Sequence, residues 1–303
     1  MPNFIRQWED PIFKWVTFLF ASVVLALALF IALSLFFHSF LALDKFGWGF
    51  LIGTDWDPVS EQFGALPFLY GTLVTSAIAL IIAVPMGLGV SIFLSELSPS
   101  WLSNLISYLV DLLAAIPSVL YGILGLFVLV PLMQEIIEPA LLDQLGFLPL
   151  FQGAAYGVGT LTAGLLLSIM ILPFIISVSR EVMLSVPVLQ REAILSLGAT
   201  RWEMILNVVL PFSKTGILGA IFLALARALG ETIAVTMVIG NRPEIRLSLL
   251  EPGHTMAAVI ANEFTEATSD LYISALIEIG FVLFLVSFLM NGIARFWVSS
   301  RTT

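Results

Sequence analysis

Residues 15–37 carry no charged side chain, and the rest of the chain repeats that feature: long uncharged or nearly uncharged runs between short polar segments. A helix needs about 20 apolar residues to cross a bilayer, because lipid offers no partner to an unpaired backbone N–H or C=O. Further runs over about 67–95, 104–133 (interrupted only by Asp111), 155–179, 215–240 (broken by Arg227 and Glu231) and 271–294 (with Glu278 inside) bring the expected count to six. Composition agrees: 59% of the 303 residues are apolar and 11% charged, against about 25% charged in a soluble domain. The expectation is an all-α membrane protein, with a short N-terminal segment 1–14, one membrane domain over 15–303 and a polar loop over 180–213.

Orientation follows from Lys and Arg, which gather on the cytoplasmic side. With the N-terminus inside, the inner segments hold Arg6, Lys14, Arg180, Arg191, Arg201, Lys214, Arg295 and Arg301, and the outer ones only Lys45, Arg242 and Arg246. Both termini are therefore expected in the cytoplasm. Twelve acidic residues fall in the outer loops, Asp44, Asp55, Glu138 and Glu251 among them. The first apolar run is too long for a signal-peptide core and reads as a retained anchor.

Several chemistries are excluded. The net charge of −9 argues against a nucleic-acid surface. Cysteine is absent and the histidines are only His38 and His254, so no metal centre is expected. Neither Lys14, Lys45 nor Lys214 follows a glycine, so no nucleotide-binding P-loop exists and no cofactor is expected on this chain. An intramembrane hydrolase would need a nucleophile or a metal at membrane depth. Gly87, Gly89 and the Gly153-x-x-x-Gly157 spacing read as close helix contacts through small residues. Pro85, Pro117 and Pro173 read as kinks, either structural or pivots.

The most costly residues are Arg227 and Glu231, expected about halfway along the fifth span. An arginine at mid-bilayer costs about 2.5–3.5 kcal/mol on insertion scales. Four residues apart on one helix, the two can meet as an ion pair. Either they merely neutralise each other, or the guanidinium fork serves an oxyanion path, with Glu231, Thr232 and Thr236 beside it. Asp111, near the inner end of its span, reads as a solvated residue. Glu278 either lines a path or bonds a neighbouring helix, and the sequence leaves both open.

The loop 180–213 is too regular for a linker. Pro187 suits a helix start, Leu189, Ala193 and Leu197 recur at helical spacing, and Gly198 suits a stop. Thr200-Arg-Trp-Glu203 then forms a capping box that opens a second helix. Such an amphipathic knob fits a groove on a partner, or lies on the membrane surface. Glu192-Ala193-Ile194, then Gly198 after three residues, then Val208-x-Leu210-Pro211 after nine more, resembles the EAA loop of ABC importer permeases, with Ile194 and Val208 as conservative departures. The resemblance implies the type I importer permease fold, of MetI-like kind. It also implies that Glu192, Ala193 and Gly198 couple this chain to a separate ATPase, so the chain itself is not an enzyme. An ion-driven transporter would have no use for this loop.

A narrower resemblance spans most of the chain. Phe63-Gly-Ala-Leu-Pro-Phe-Leu-Tyr-Gly-Thr-Leu-Val-Thr-Ser76, Ala115-Ile-Pro-Ser-Val-Leu-Tyr-Gly122 and Arg227-Ala-Leu-Gly-Glu-Thr-Ile-Ala-Val-Thr-Met-Val-Ile-Gly-Asn241 are similar to the phosphate-specific permeases of that family. The resemblance implies a heterodimer with a sister permease, two copies of an ATPase subunit, an external phosphate-binding protein and residence in a bacterial inner membrane. It places Arg227 and Glu231 on the phosphate path, and the neighbouring hydroxyl of Thr232 is counted with them from its position beside the pair. The sister permease, or a sulfate or molybdate permease, is the alternative it leaves.

Overall fold

The computed structural model describes the backbone of residues 3–299, and side chains from residue 11 to residue 293 except that of residue 12. Arg6, Arg295 and Arg301, which entered the count of inner charges, lie outside the described side chains. Six helices among the described residues are long and apolar enough to cross a membrane. They are α1 (Asn3–His38, apolar from Phe13), α4 (Leu66–Leu97), α6 (Ser118–Leu145), α7 (Thr160–Leu184), α9 (Arg201–Leu229) and α12 (Asp270–Ser299). Between them lie α2 (Phe40–Phe46), α3 (Gly49–Ile52), the two-residue strands β1 (Trp56–Asp57) and β2 (Gln62–Phe63), α5 (Ser100–Ala114), α8 (Val188–Ser196), α10 (Ile233–Thr236) and α11 (Met256–Glu263).

The centre of the fold is α4 against α7, with α9 laid on both. Glycine lets these helices approach, as expected where apolar contact alone provides little drive for association. A Cβ on Gly87 would come within 2.7 Å of Ile175, one on Gly164 within 2.6 Å of Ile78, and one on Gly216 within 2.5 Å of Val182. Ala79, Ala83, Leu167, Met170, Ile171, Ala224 and Ala228 fill the rest of this core. Gly89, expected to share that role, has nothing within 4 Å.

A second core, in which aromatic rings mix with aliphatic side chains, joins α2, α3, the β1–β2 hairpin, the start of α4, α11 and the start of α12. Phe63 stacks on Tyr272 at 5.3 Å, and Trp56 donates its indole N–H to Glu263 at 2.8 Å. Helix α1 reaches this assembly only near its end. There Phe36 packs on Phe281, and Ser274 Oγ donates to the His38 carbonyl and accepts from Ala42 N. From Phe13 to Phe30 its large apolar side chains are exposed, as a lipid-facing helix requires.

Several sequence expectations need correction. Residues 104–133 are not one span: α5 ends at Ala114, the chain breaks over 115–117, and the crossing helix runs over Ser118–Leu145. Pro117 causes this, since it lacks an N–H and forces the preceding residue out of helical geometry. Pro117 therefore starts a helix rather than kinking one. Residues 215–240 are likewise not one helix: α9 begins far earlier, at Arg201, and stops at Leu229. The fourth span starts at Thr160 rather than 155, and Gly153 and Gly157 sit in irregular backbone with φ of +110° and +73°, so their spacing is no helix contact. Glu138, counted among the outer-loop acids, is completely buried on α6, where it accepts from Gly157 N at 2.8 Å.

The segment after α10 also departs from a simple loop. A helix leaves its first N–H groups without intrahelical acceptors, and this segment satisfies those of α7. Thr160 N donates to the Glu251 carbonyl at 3.2 Å, and Leu161 N to that of Leu249 at 2.8 Å.

Candidate functional site

Arg227 lies in the last turn of α9, not in the middle of a helix. It faces Phe174, near the midpoint of α7, so the place where α9 stops is at mid-depth among the packed helices. Gly230 follows as the cap, with φ of −94° and ψ of 1°, and it is exposed. The chain then turns through Glu231 and Thr232 into the single turn of α10. A cation in a last turn is favoured by the negative end of the helix dipole, worth about 0.3–1 kcal/mol. The Arg227 guanidinium also sits 4.6 Å above the Phe174 ring, a cation–π geometry worth about 0.5–2 kcal/mol.

The expected ion pair is absent. Among the described residues no carboxylate lies within salt-bridge distance of Arg227, and its buried Nε has no hydrogen-bond partner. The break in the helix is the reason, since residues four apart face each other only while the helix continues. Glu231 instead accepts from Ala234 N at 3.3 Å, holding the start of α10. Thr232 Oγ1 donates back to the Gly230 carbonyl at 3.3 Å, and Thr236 Oγ1 to that of Thr232 at 2.7 Å. Thr236 hydroxyl donation is thus already used within α10.

The second break, at 115–117, lies beside the first. Helix α10 packs on the start of α6 through Gly122, whose Cβ would come within 3.1 Å of Ala234 Cα and 2.6 Å of Met237 Sδ. Tyr121 lies within electrostatic reach of Arg227, and its hydroxyl donates to the Leu113 carbonyl at 2.8 Å across the 115–117 gap. Two interrupted helices therefore meet around one unpaired guanidinium. Such breaks leave peptide groups that only protein or a water-filled cavity can satisfy. Ile116-Pro117 and the Gly230 that follows Leu229 mark both breaks along the chain, but no local signal points to Phe174.

The other ionisable residues stand apart. Asp111 is exposed on the separate helix α5, where it accepts from Ser177 Oγ at 2.8 Å. Glu278 is 2% exposed in an apolar groove of about 500 Å³ lined by Trp48, Leu51, Phe281 and Leu285, and its Oε2 has no partner. It bonds no neighbouring helix among the described residues. His254 is buried against Phe68, its Nδ1 accepting from Thr255 N at 3.1 Å.

The loop 180–213 contains the two expected helices. Pro187 precedes α8 as its N-cap, and α8 ends at Ser196. Gly198 turns the chain with φ of +88°, and the Thr200–Glu203 capping box is present, with Glu203 N donating to Thr200 Oγ1 and Thr200 N to Glu203 Oε2. The second helix is continuous with α9, by way of a π turn at Ile205–Val209. Leu189 and Leu197 are 79% and 86% exposed, and Glu192 and Ala193 are exposed beside them, so an apolar face of α8 points away from the body.

Comparison with known proteins places this arrangement. Residues 84–301 match the family described as binding-protein-dependent transport system inner membrane component. A protein of Mesorhizobium japonicum named phosphate transport system permease protein PstC is 49% identical over 291 residues, covering 95% of this chain and 89% of its own length. One of the same name from Haemophilus influenzae is 47% identical over 300 residues, covering 98% and 95%. A solved chain of the MetNI methionine ABC transporter, in an inward-facing conformation, superposes with a TM-score of 0.54 at 18% identity. It covers 76% of this chain and 95% of that one, and so shares the fold.

Proposed function

This chain belongs to the family of binding-protein-dependent transport system inner membrane components, and on that premise we propose that it is the PstC-type permease subunit of an ATP-driven phosphate importer. The observation that carries the substrate is the likeness to proteins named PstC along nearly the whole chain. In this reading the chain lies in a bacterial inner membrane with both termini in the cytoplasm. It pairs with a sister permease, PstA, and two copies of the ATPase PstB, and it receives phosphate from the binding protein PstS. Nucleotide hydrolysis belongs to PstB, and this chain carries no cofactor.

Arg227, Glu231 and Thr232 are the path residues. A cation at mid-depth with no carboxylate partner among the described residues suits an anion, and the planar guanidinium matches phosphate oxygens with two parallel donors. Glu231, free of Arg227, holds the start of α10 and is positioned to take a proton from a partly protonated oxyanion. The outer loops are acidic, so free phosphate is repelled and delivery by a docked protein is needed. On the inner side the exposed face of α8, with Glu192 and Ala193, and the turn at Gly198 seat on the ATPase. Closure of the ATPase dimer moves that face and changes which side of Arg227 is open.

The test is transport by the purified four-component complex in proteoliposomes, with labelled phosphate on the side of the binding protein. Uptake that requires both ATP and the binding protein, and that excess sulfate or molybdate leaves unchanged, is the expected result. Uptake of sulfate or molybdate in preference to phosphate overturns the substrate. Uptake without the ATPase overturns the class.

A further inference from the structure

Helix α8 has an outward side and an inward side, and the inward side holds a charge. Arg191 and Ile194 turn toward the body while Leu189, Glu192 and Ala193 stay exposed. Arg191 Nη2 donates to Glu96 Oε1 at 2.9 Å and to the Met183 carbonyl at 2.7 Å. The Glu96 side chain is 5% exposed and that of Arg191 17%. Glu96 lies in the π turn Phe93–Leu97 that ends α4, and Met183 in the last turn of α7. One guanidinium therefore ties the short helix α8 to the ends of both central helices.

The surroundings make this junction stiff. Met183, Val186, Met204, Ile205 and Val209 form a buried cluster into which Ile92 and Ile194 pack. A planar guanidinium can hold a carboxylate and a carbonyl at fixed angles at once, which a lysine ammonium on its flexible stem does not. A nearly buried ion pair costs desolvation that an apolar pair would not, so packing alone does not account for it here. Packed junctions of this kind switch between discrete arrangements rather than deform continuously.

We propose that Arg191 and Glu96 form the strut by which movement of α8 reaches the ends of α4 and α7, and through them the helix breaks around Arg227. Both are positioning residues, since neither touches the anion path. The inference rests on the reading that the exposed face of α8 meets the ATPase.

The experiment compares the reconstituted wild-type complex with Glu96→Gln, with Arg191→Lys and with the swap Glu96→Arg/Arg191→Glu. It measures retention of the ATPase subunit, ATP hydrolysis and phosphate imported per ATP. Each single variant is expected to retain the ATPase subunit and hydrolyse ATP, while phosphate imported per ATP falls about tenfold, within the usual range for coupling between sites. The swap is expected to recover part of that loss, though not the bond to the Met183 carbonyl. Undiminished phosphate per ATP in either single variant overturns the strut. Loss of the ATPase subunit that the swap does not restore also overturns it, by making the pair a fold contact. A wild-type complex that moves no phosphate overturns the importer reading itself, which separates the two failures.

Discussion

The guanidinium of Arg227 stands over the ring of Phe174, its central carbon 4.6 Å from the ring centroid, and not against the carboxylate of Glu231 four residues on. Mutual neutralisation of the two charges, one of the readings open from sequence, is thereby removed. The ring and the helix end offset part of the cost of the charge, but neither is a counter-ion.

Replacing Arg227 should therefore impair transport without impairing assembly. Arg227→Ala is expected to lower phosphate uptake about a hundredfold, the usual effect of removing one preorganised donor to an anion. Arg227→Lys, which keeps the charge but not the fork, should fall between the two. Uptake in cells lacking other phosphate routes, read beside co-purification of the sister permease, checks this. Normal uptake by both variants removes the anion site.

The meeting of the two interrupted helices depends on Gly122. A β-carbon there would press on Ala234 Cα and Met237 Sδ, whereas one on Gly89 meets nothing within 4 Å. Gly122→Val is expected to destabilise the protein by about 1–3 kcal/mol, as overpacking does, and Gly89→Ala to leave it nearly unchanged. Thermal midpoints of the purified variants decide; equal midpoints would show that α10 and α6 do not pack as described.

His254 makes stability depend on pH. Burial pushes its imidazole down to about 4 from the ordinary 6.5. Between those values the unfolded chain takes up a proton that the folded one does not. Stability is thus full above about pH 6.5 and falls by up to about 3 kcal/mol as the pH drops to about 4. Asparagine can accept from Thr255 N as Nδ1 does, so His254→Asn should flatten this dependence. A pH profile of the thermal midpoint that is the same in both proteins contradicts it.

At Gly198 the backbone, not space, sets the limit. Its φ of +88° is hard for any residue with a β-carbon, although nothing lies within 4 Å of that position. Gly198→Val should cost about 1–2 kcal/mol locally and swing α8 relative to α9. Insertion into the membrane is expected to persist while the ATPase subunit no longer co-purifies. Glu192→Lys, on the exposed face, should do the same through charge alone. Full retention of the ATPase subunit by both variants refutes the docking role.

Length and polarity along the chain were enough to determine six membrane helices, and local hydrogen-bond chemistry was enough for the Thr200–Glu203 cap. Both depend on interactions within a few residues of each other, or with solvent, and so are written in the order of the residues. Where helices stop inside the membrane was half legible: Pro117 and Gly230 permit a break, but an uncharged run on either side hides it from any count of apolar residues. Only the packed structure decided that Arg227 meets Phe174 and not Glu231, that Glu138 and Glu278 are buried, and that Arg191 reaches across to Glu96. Those placements come from the packing of segments distant in sequence, a long-range event set by how side chains interlock, which no local pattern of residues encodes.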